Sequence, residues 1–337
     1  MVLEVALLAG LAAGAGMAVA LLGGPLRVWL IRLGVSDVPN ARSSHRAVKP
    51  RGGGLAVLAV VLPAWAVLSG GAGDPWADLA LIGVTAALAA LSFADDALGL
   101  PAGLRFPGHI AAVAAGLWVV EPGLVCQGWL PAWLDLALAG IAWLWFTNLY
   151  NFMDGIDGIT AVETLALGLG LGAVALFFGV PSQSAHASLP WLIGGAAAGV
   201  LAWNWAPAKM FLGDVGAIPL GYLLGGLLIA AAGHGAWAAA LILPAYYLVD
   251  ATLTLLRRAA RGERVWRAHR QHAYQRAVQS GLSHAAVAGR IAVLNAVLIA
   301  CAIWAMAGAV LPALVVAGAL TLAVWGWFLR PTGTGEA

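Results

Sequence analysis

The stretch NLYNFMDGIDGIT, residues 148–160, places two asparagines, two aspartates and two glycines between two strongly apolar segments. A solvated turn needs one Asn-Gly or Asp-Gly pair and not a spaced set of four polar side chains. Only 9% of the residues are charged, so this concentration of carboxylates is informative. Carboxylate and carboxamide oxygens are ligands for hard cations such as Mg²⁺. The stretch therefore indicates a polar functional site at the end of an apolar segment.

Similar polar residues stand at the ends of other apolar segments. Asp95 and Asp96 follow one of them in SFADDALGL, and Asp214 precedes another in MFLGDVGA. His269 and His272 lie in the basic stretch HRQHAYQR. The glycines of DGIDG and FLGDVG allow a ligand to approach the backbone closely. If these segments meet, five carboxylates and two asparagines can share one cleft.

Eleven apolar segments must position these residues, since 62% of the 337 residues are hydrophobic and the mean hydropathy is +0.91. The segments are about 5–26, 54–71, 76–93, 106–121, 129–147, 159–180, 187–205, 215–232, 235–256, 286–305 and 307–329. Each can cross a hydrocarbon core of about 30 Å, and a helix satisfies its own backbone hydrogen bonds in lipid. We therefore expect an all-α polytopic integral membrane protein with about eleven transmembrane helices. Because the fourth segment is short, ten or twelve helices remain open.

The lysines and arginines fall on alternate connections between these segments. All seventeen lie around the first, third, seventh and ninth connections or after the last segment, and the even-numbered connections have none. By the positive-inside rule, the odd-numbered connections are cytoplasmic and the N-terminus is outside. The predicted cytoplasmic loops span about residues 27–53, 94–105, 148–158, 206–214 and 257–285. All the polar residues described above belong to this one face.

This combination of carboxylates and basic side chains indicates phosphate chemistry. Mg²⁺ takes one or two protein oxygens and fills its other positions with water and substrate phosphate. Arginines and histidines can bind the remaining phosphate oxygens. The chain has neither a GxxxxGK[ST] nor a GxGxxG motif, which excludes a P-loop or a Rossmann nucleotide site. Two cysteines, Cys126 and Cys301, provide neither a disulfide framework nor metal-ligand spacing.

In five stretches the sequence resembles the polyprenyl-phosphate N-acetylhexosamine-1-phosphate transferase superfamily, glycosyltransferase family 4. NLYNFMDGIDG is similar to its NxxNxxDGxDG signature, and ADDALGL to its DDxxGL loop. NWAPAKMFLGDVGA resembles its NxxPAKxFxGDxGS loop, with Ala217 in place of the usual serine. PNARSSHRAVKPRGGG, residues 39–54, resembles the first cytoplasmic loop of the O-antigen-initiating branch. HRQHAYQRAV resembles the His-x-x-His-x-Tyr-Gln motif of that branch and departs from the consecutive histidines of the lipid I enzymes. The five matches follow in order across roughly residues 37–290, and the ordered set is specific.

The resemblance implies an enzyme that passes a sugar-1-phosphate from a UDP-N-acetylhexosamine to undecaprenyl phosphate, releasing UMP and initiating O-antigen or related polysaccharide synthesis. It implies Mg²⁺ as the cofactor, with Mn²⁺ as the alternative. Residues 1–337 would form a single transmembrane catalytic domain in the bacterial inner membrane, with the active site facing the cytoplasm. The expected partners are the two substrates and membrane lipids, and not nucleic acid. A homodimer and the identity of the sugar are left open.

The resemblance also assigns roles to particular residues. Asp214 and Asn151 are the expected Mg²⁺ ligands. The expected catalytic residues are Asp95, Asp96, Asp154, Asp157, His269 and His272. The expected substrate-binding residues are Arg42, His45, Lys49, Arg51, Asn148, Lys209 and Arg270. Asp95 and Asp96 are candidates for the base, the nucleophile or a phosphate-positioning group. Asp154 and Asp157 are candidates for metal support, with a hydrogen bond to uracil as the alternative for Asp157.

Several alternatives stay open on the sequence alone. Asn148 can be a hydrogen-bonding residue between packed helices, and His269 with His272 can be read as a zinc pair. Asp250, in the ninth segment, is expected to pair with an arginine or to face the cleft, because an unpaired charge in a span is costly. For the whole protein the alternatives are a lipid I synthase-type phospho-MurNAc-pentapeptide transferase and a secondary transporter. A transporter would carry its site near the bilayer midplane between repeated halves, and no repeat is evident.

Overall fold

The structure is a computed structural model that describes residues 2–37, 48–70, 75–179, 188–265 and 269–330, and the described residues of each of the eleven apolar segments are mainly helical. The α-helices of these residues are α1 Val2–Leu33, α2 Gly54–Ser69, α3 Pro75–Leu98, α4 Ala102–Val120, α5 Ala132–Phe152, α6 Ile159–Phe178, α7 Ser188–Asn204, α8 Asp214–Ala231, α9 Trp237–Ile242, α10 Ala245–Ala260, α11 Ala273–Gln279, α12 His284–Met306 and α13 Val310–Phe328. A π-helical turn, Ala232–Ala236, joins α8 to α9.

Eight helical segments of the described residues are long and apolar enough to cross a membrane. They are α1, α3, α4, α5, α6, the continuous segment from α8 to α9, α12 and α13. Helix α2 is also apolar but has only 16 residues. The chain is thus an all-α, multi-pass membrane protein, as expected. The count of eleven spans and the side of the membrane on which each end lies stay predictions.

Several helices extend beyond the apolar segments that predicted them. Helix α1 continues to Leu33, α3 to Leu98 and α5 to Phe152, and each helix ends several residues after the end of its predicted segment. Hydropathy reports the transfer of side chains into lipid, whereas a helix is held by backbone hydrogen bonds that persist outside the hydrocarbon layer. The beginnings of three predicted loops, and the polar residues they contain, are therefore helical.

The ninth apolar segment is interrupted, although the sequence suggested one continuous span. Gly235 lies in the π-helical turn with φ +92°, a backbone conformation that glycine adopts without strain. Pro244 then separates α9 from α10, because proline has no amide hydrogen to donate to the preceding helical turn.

Helix α8 is the central helix, and every one of its residues except Leu227 is buried. It packs against α3, α5, α2 and α6. Its closest approach to α2 is at a pair of glycines, where a Cβ added to Gly54 would lie 2.1 Å from the Cα of Gly216. Small residues allow two membrane helices to pack at short range. This crossing brings the residues before α2 next to the first turn of α8.

Two short strands pair within the first connection, and a set of backbone hydrogen bonds joins this connection to the seventh. Strand β1, Ser36–Asp37, pairs antiparallel with β2, Lys49–Pro50. The amides of Gly52 and Gly53 both donate to the carbonyl of Phe211, at 3.1 and 2.8 Å. The Gly54 amide donates to the Leu212 carbonyl at 2.9 Å. The chain before α2 and the chain before α8 therefore form one backbone-bonded unit.

Candidate active site

Asp214, the first residue of α8, lies at the centre of a cluster of charged side chains. Its carboxylate forms ion pairs with Arg51, which precedes α2, and with Arg105 in the first turn of α4, the latter at 3.4 Å. Asn151, in the last turn of α5, donates from Nδ2 to Asp214 Oδ1 at 3.0 Å. The two residues expected to bind Mg²⁺ are therefore neighbours.

Asp96 holds the turn that carries Asp214. Its side chain is fully buried and accepts hydrogen bonds from the amides of Asp214 and Val215 at 3.1 and 3.0 Å. Arg51 Nε lies 2.8 Å from the same carboxylate. Gly213 has φ +79°, and a Cβ there would lie 2.6 Å from Asp96 Oδ2, so the turn requires glycine. Both oxygens of Asp96 are thus engaged by protein groups, which favours a positioning role.

Asp95 has different partners from its neighbour, because successive helical residues point about 100° apart. Its carboxylate accepts from the Leu100 amide at 2.7 Å and forms an ion pair with Arg105. The sequence reasoning did not select Arg105 as a site residue. The available signal was that Arg105 is the only basic residue of the third connection.

The two aspartates of DGIDG lie in different environments. Burial raises the pKa of Asp154 to about 7, and a hydrogen bond from Thr160 and the charge of Arg51 oppose this effect only in part. Burial also acts to raise the pKa of Asp157, but its hydrogen bonds and the charge of Lys49 outweigh burial and hold the pKa below its usual range. Asp154 therefore takes up a proton much more readily than Asp157.

Asp157 connects four separate parts of the chain. Its carboxylate accepts from the Ala208 amide at 2.9 Å and lies 3.5 Å from Lys49 Nζ. His284 Nδ1, at the start of α12, lies 3.4 Å from the other carboxylate oxygen. Asn204 adds a further link, because its Oδ1 accepts from the Gly158 amide at 3.0 Å. Neither His284 nor Asn204 was selected from the sequence, although Asn204 begins the NWAPAK stretch.

Asn148 joins two helices in the structure. Its Oδ1 lies 3.2 Å from His109 Nδ1 on α4, and its Nδ2 donates to the Leu144 carbonyl at 2.7 Å. This is the helix-packing arrangement that the sequence left open. His109 itself is buried and was not selected from the sequence.

The histidine motif is organised by Asp250. The buried Asp250 carboxylate accepts from the amides of Ala273 and Tyr274, at 2.7 and 3.1 Å, and thereby fixes the start of α11. His272 Nδ1 lies 3.7 Å from Asp250 Oδ1, and the rings of His269 and His272 are 4.8 Å apart. The described partners of Asp250 are thus backbone amides, His272 and nearby hydroxyls, and the expectation that it pairs with an arginine or faces the cleft stays a prediction.

Helix α11 is also attached to the end of α5, because the Tyr274 hydroxyl donates to the Phe152 carbonyl at 2.9 Å. His272 is 2% exposed, so little of its surface is available to a ligand, whereas His269 is half-buried. The contacts described for these two histidines do not include Asp214.

The remaining expected substrate-binding residues lie at the periphery of the site or beyond the described chain. Lys49 Nζ lies 5.0 Å from the ring centroid of Phe211, and Lys209 Nζ lies 5.6 Å from that of Trp203. Arg270 is exposed, and its carbonyl accepts from Gln279 at 2.8 Å. Arg42 and His45 lie outside the described residues.

Acidification is expected to destabilise the wild-type protein more than a His269→Gln variant. Burial, the neighbouring His272 and the charge of Arg258 lower the pKa of His269 from 6.5 to about 4. The unfolded chain therefore takes up this proton at a higher pH than the folded protein, and stability is lost as the pH falls from 6.5 towards 4. Melting temperatures in detergent across this range measure the effect. Equal falls in the two proteins would show that His269 is not held neutral by the fold.

The donor set around Asp214 fits a hard divalent cation that keeps most of its own water. Among the described residues, no group of three or more His, Cys, Asp and Glu side chains is placed to hold a metal. Asp214 and Asn151 can provide one or two oxygen ligands, the number that Mg²⁺ takes from proteins when phosphate and water complete its shell. A zinc site at His269 and His272 would need a third His, Cys, Asp or Glu ligand, and the described residues place none there.

The fold and the site define the class of protein: an integral membrane protein with carboxylates and arginines clustered at one end of its helical bundle. Residues 79–232 match the family described as "Glycosyl transferase family 4". A Bacillus subtilis protein, "Probable undecaprenyl-phosphate N-acetylglucosaminyl 1-phosphate transferase", is 25% identical over 267 residues, covering 75% of this chain and 72% of the relative. The decaprenyl-phosphate N-acetylglucosaminephosphotransferase of Mycobacterium tuberculosis is 28% identical over 302 residues, covering 77% and 73%.

A phospho-N-acetylmuramoyl-pentapeptide-transferase of Moorella thermoacetica is 34% identical over a shorter region of 127 residues, covering 36% of this chain and 39% of the relative. The family match and the two longer relatives support the polyprenyl-phosphate N-acetylhexosamine-1-phosphate transferase superfamily, glycosyl transferase family 4, and the O-antigen-initiating branch stays a prediction. The superfamily expected from the five sequence stretches is confirmed.

Proposed function

We propose that the protein transfers an N-acetylhexosamine-1-phosphate from a UDP-sugar to undecaprenyl phosphate, giving undecaprenyl-diphosphate-sugar and UMP. The observation that carries the proposal is the placement of Asp214 between two arginines and Asn151, at the end of a membrane bundle. The relatives named for N-acetylglucosamine phosphate transfer to polyprenyl phosphate support the same reaction. We further propose that the product initiates O-antigen or related cell-surface polysaccharide synthesis.

Positioning and neutralisation of charge dominate this kind of phosphoryl transfer. A phosphate oxygen of the lipid forms a bond to the phosphorus that carries the sugar, and the bridging oxygen leaves with UMP. The lipid phosphate is already anionic near neutral pH, so the reaction does not require a strong base. The guanidinium groups of Arg51 and Arg105 are placed to reduce repulsion between the two anionic substrates.

Asp214 and Asn151 would hold Mg²⁺, with Mn²⁺ as the alternative. When bound there, the cation would neutralise phosphate charge that develops as UMP departs. Asp96 would keep Asp214 in place through its backbone hydrogen bonds. Asp95 would orient Arg105, and Lys49 and Asp157 would hold the first, fifth and seventh connections together.

An apolar cavity of about 400 Å³ between α5, α8, α9 and α10 lies towards the end of the bundle opposite Asp214, where Val125 and Cys126 also line it, so it is available only to the part of a prenyl chain that is far from the phosphate. Its walls include Trp143, Phe146, Leu228, Trp237 and Leu248. Burial of a hydrocarbon chain against such a surface is favourable.

We propose that the site faces the cytoplasm of a bacterial inner membrane with the N-terminus outside, because the lysines and arginines concentrate on that face.

The proposal is tested by measuring UMP and lipid-linked sugar from the purified protein in detergent. We expect equimolar formation of the two products only when a UDP-N-acetylhexosamine, undecaprenyl phosphate and Mg²⁺ are all present. Reactions without the lipid phosphate serve as the control for simple hydrolysis of the nucleotide sugar.

The same assay separates the alternatives. Product formed only from UDP-MurNAc-pentapeptide would identify a lipid I synthase, the function named for the Moorella thermoacetica relative. Absence of UMP with every donor, together with solute uptake into vesicles containing the protein, would identify a transporter. A panel of UDP-N-acetylhexosamines then identifies the sugar.

A further inference from the structure

A groove of about 700 Å³ lies between α12 and α13, and its lining does not include the residues around Asp214. Its walls are apolar and include Val293, Val297, Leu320 and Val324. Val293 is 68% exposed. Gly289 opens into the groove, because a Cβ added there would meet no atom within 4 Å. The volume lies within the roughly 300–1,000 Å³ range of sites that bind small molecules.

One end of the groove carries an arginine without a carboxylate partner among the residues that the structure describes. The Arg290 guanidinium lies 4.8 Å from the ring centroid of Trp327, and its Nη1 donates to the Ala286 carbonyl at 2.8 Å. Both Arg290 and Trp327 line the groove. A guanidinium has five N–H donors, so these two contacts leave most of its hydrogen-bonding capacity unused.

The position of Arg290 along α12 places its charge close to the membrane interface. Helix α12 begins at His284, which contacts Asp157 at the site end of the bundle. Six residues later, Arg290 lies about 9 Å along the helix axis from that end. A positive charge at such a depth is stable when an anion accompanies it. Tryptophan is typical of the same interfacial layer.

We propose that this groove binds an anionic phospholipid of the membrane. The lipid phosphate accepts hydrogen bonds from Arg290, and one acyl chain lies in the groove against Val293 and Leu320. The positive charge selects an anionic headgroup, and the apolar walls below it select hydrocarbon. The bound lipid stabilises the packing of α12 against α13 by mass action. This inference is independent of the proposed reaction.

Native mass spectrometry of the purified full-length protein tests the proposal, with phosphatidylglycerol and phosphatidylcholine of identical acyl chains as the probes. We expect wild type to bind one phosphatidylglycerol about tenfold more tightly than phosphatidylcholine, because both lipids offer a phosphate to Arg290 but the choline ammonium offsets its negative charge. Arg290→Gln should abolish this preference by weakening the binding of phosphatidylglycerol more than that of phosphatidylcholine. Gly289→Leu places a bulky side chain in the groove at a position where an added Cβ meets no atom within 4 Å, and it should weaken the binding of both lipids.

Arg257→Gln is the matched control. The Arg257 guanidinium, on α10, lies 4.1 Å from the ring centroid of Trp325 on α13, but Arg257 does not line the groove. A general attraction of basic residues for anionic headgroups would be weakened equally by either glutamine variant, and that result would overturn the proposal. Equal binding of the two phospholipids to wild type would do the same. Displacement of phosphatidylglycerol by equimolar undecaprenyl phosphate would assign the groove to the lipid substrate instead. If the wild-type protein forms a dimer without bound lipid and Gly289→Leu does not, the groove would be assigned to a second copy of the chain.

Discussion

Replacing Asp214 with asparagine is expected to lower the rate of UMP release by roughly 10³-fold or more. The substitution keeps the size of the side chain but removes the negative charge that would hold Mg²⁺. Loss of several kcal/mol of charge stabilisation corresponds to this factor, at about 1.4 kcal/mol for each tenfold change in rate. Initial rates across a Mg²⁺ titration measure the effect, and higher Mg²⁺ should restore part of the activity.

Asp135→Asn provides a matched control for Asp214→Asn. Asp135 is also a buried carboxylate, but it lies at the opposite end of the bundle and accepts from the amides of Val125 and Cys126, each at 2.8 Å. Its substitution should affect thermal stability and leave the rate per folded molecule close to that of wild type. Asp214→Asn activity within about tenfold of wild type at every Mg²⁺ concentration would remove Asp214 as the central metal ligand.

Asp96→Ala is expected to cost about 2–6 kcal/mol of folding stability, because two buried amides lose their acceptor at about 1–3 kcal/mol each, while Arg51 keeps Asp214 as a partner. Arg51 would lose its contact at 2.8 Å, and the amides of Asp214 and Val215 would lose their acceptors. Activity should fall as well, because the turn that carries Asp214 would no longer be fixed. Denaturant unfolding in detergent measures the stability, and UMP release measures the activity.

Asp95→Ala is the comparison for this prediction. Asp95 accepts from one backbone amide, and Arg105 retains Asp214 as a second partner when Asp95 is removed. The stability loss of Asp95→Ala should therefore be smaller than that of Asp96→Ala. The opposite order would mean that Asp95, and not Asp96, maintains the local structure around α8.

The helices were predictable because the sequence alternates long apolar segments with short polar connections. The convergence of Arg51, Asp96, Asn151 and Asp214 was predictable for a related reason. Their motifs stand at the ends of helices that alternate in direction, so the ends on one face meet. The break between α9 and α10 at Pro244 was not predicted. Mean hydropathy describes the side chains of the ninth segment and does not report that proline lacks the amide hydrogen that a continuous helix needs.

The pairing between side chains of different helices was not predictable from local patterns. The contact between His109 and Asn148 depends on the rotation of α4 against α5, which no spacing within either helix reports. Glu163 and Asn295 were also missed, although Asn295 donates to the buried Glu163 carboxyl at 2.7 Å. Both residues lie inside long apolar segments, where a single polar side chain hardly changes the average.

The backbone unit formed by the first and seventh connections has a consequence for biosynthesis. Arg51 and Asp214 stand 163 positions apart in the chain. At roughly 5–20 residues per second, a ribosome needs on the order of ten seconds to extend the nascent chain from one to the other. During that interval the glycines before α2 have no Phe211 carbonyl to bind, and Arg51 has no Asp214. The first connection therefore leaves the ribosome early and acquires its final conformation only after α8 has been synthesised.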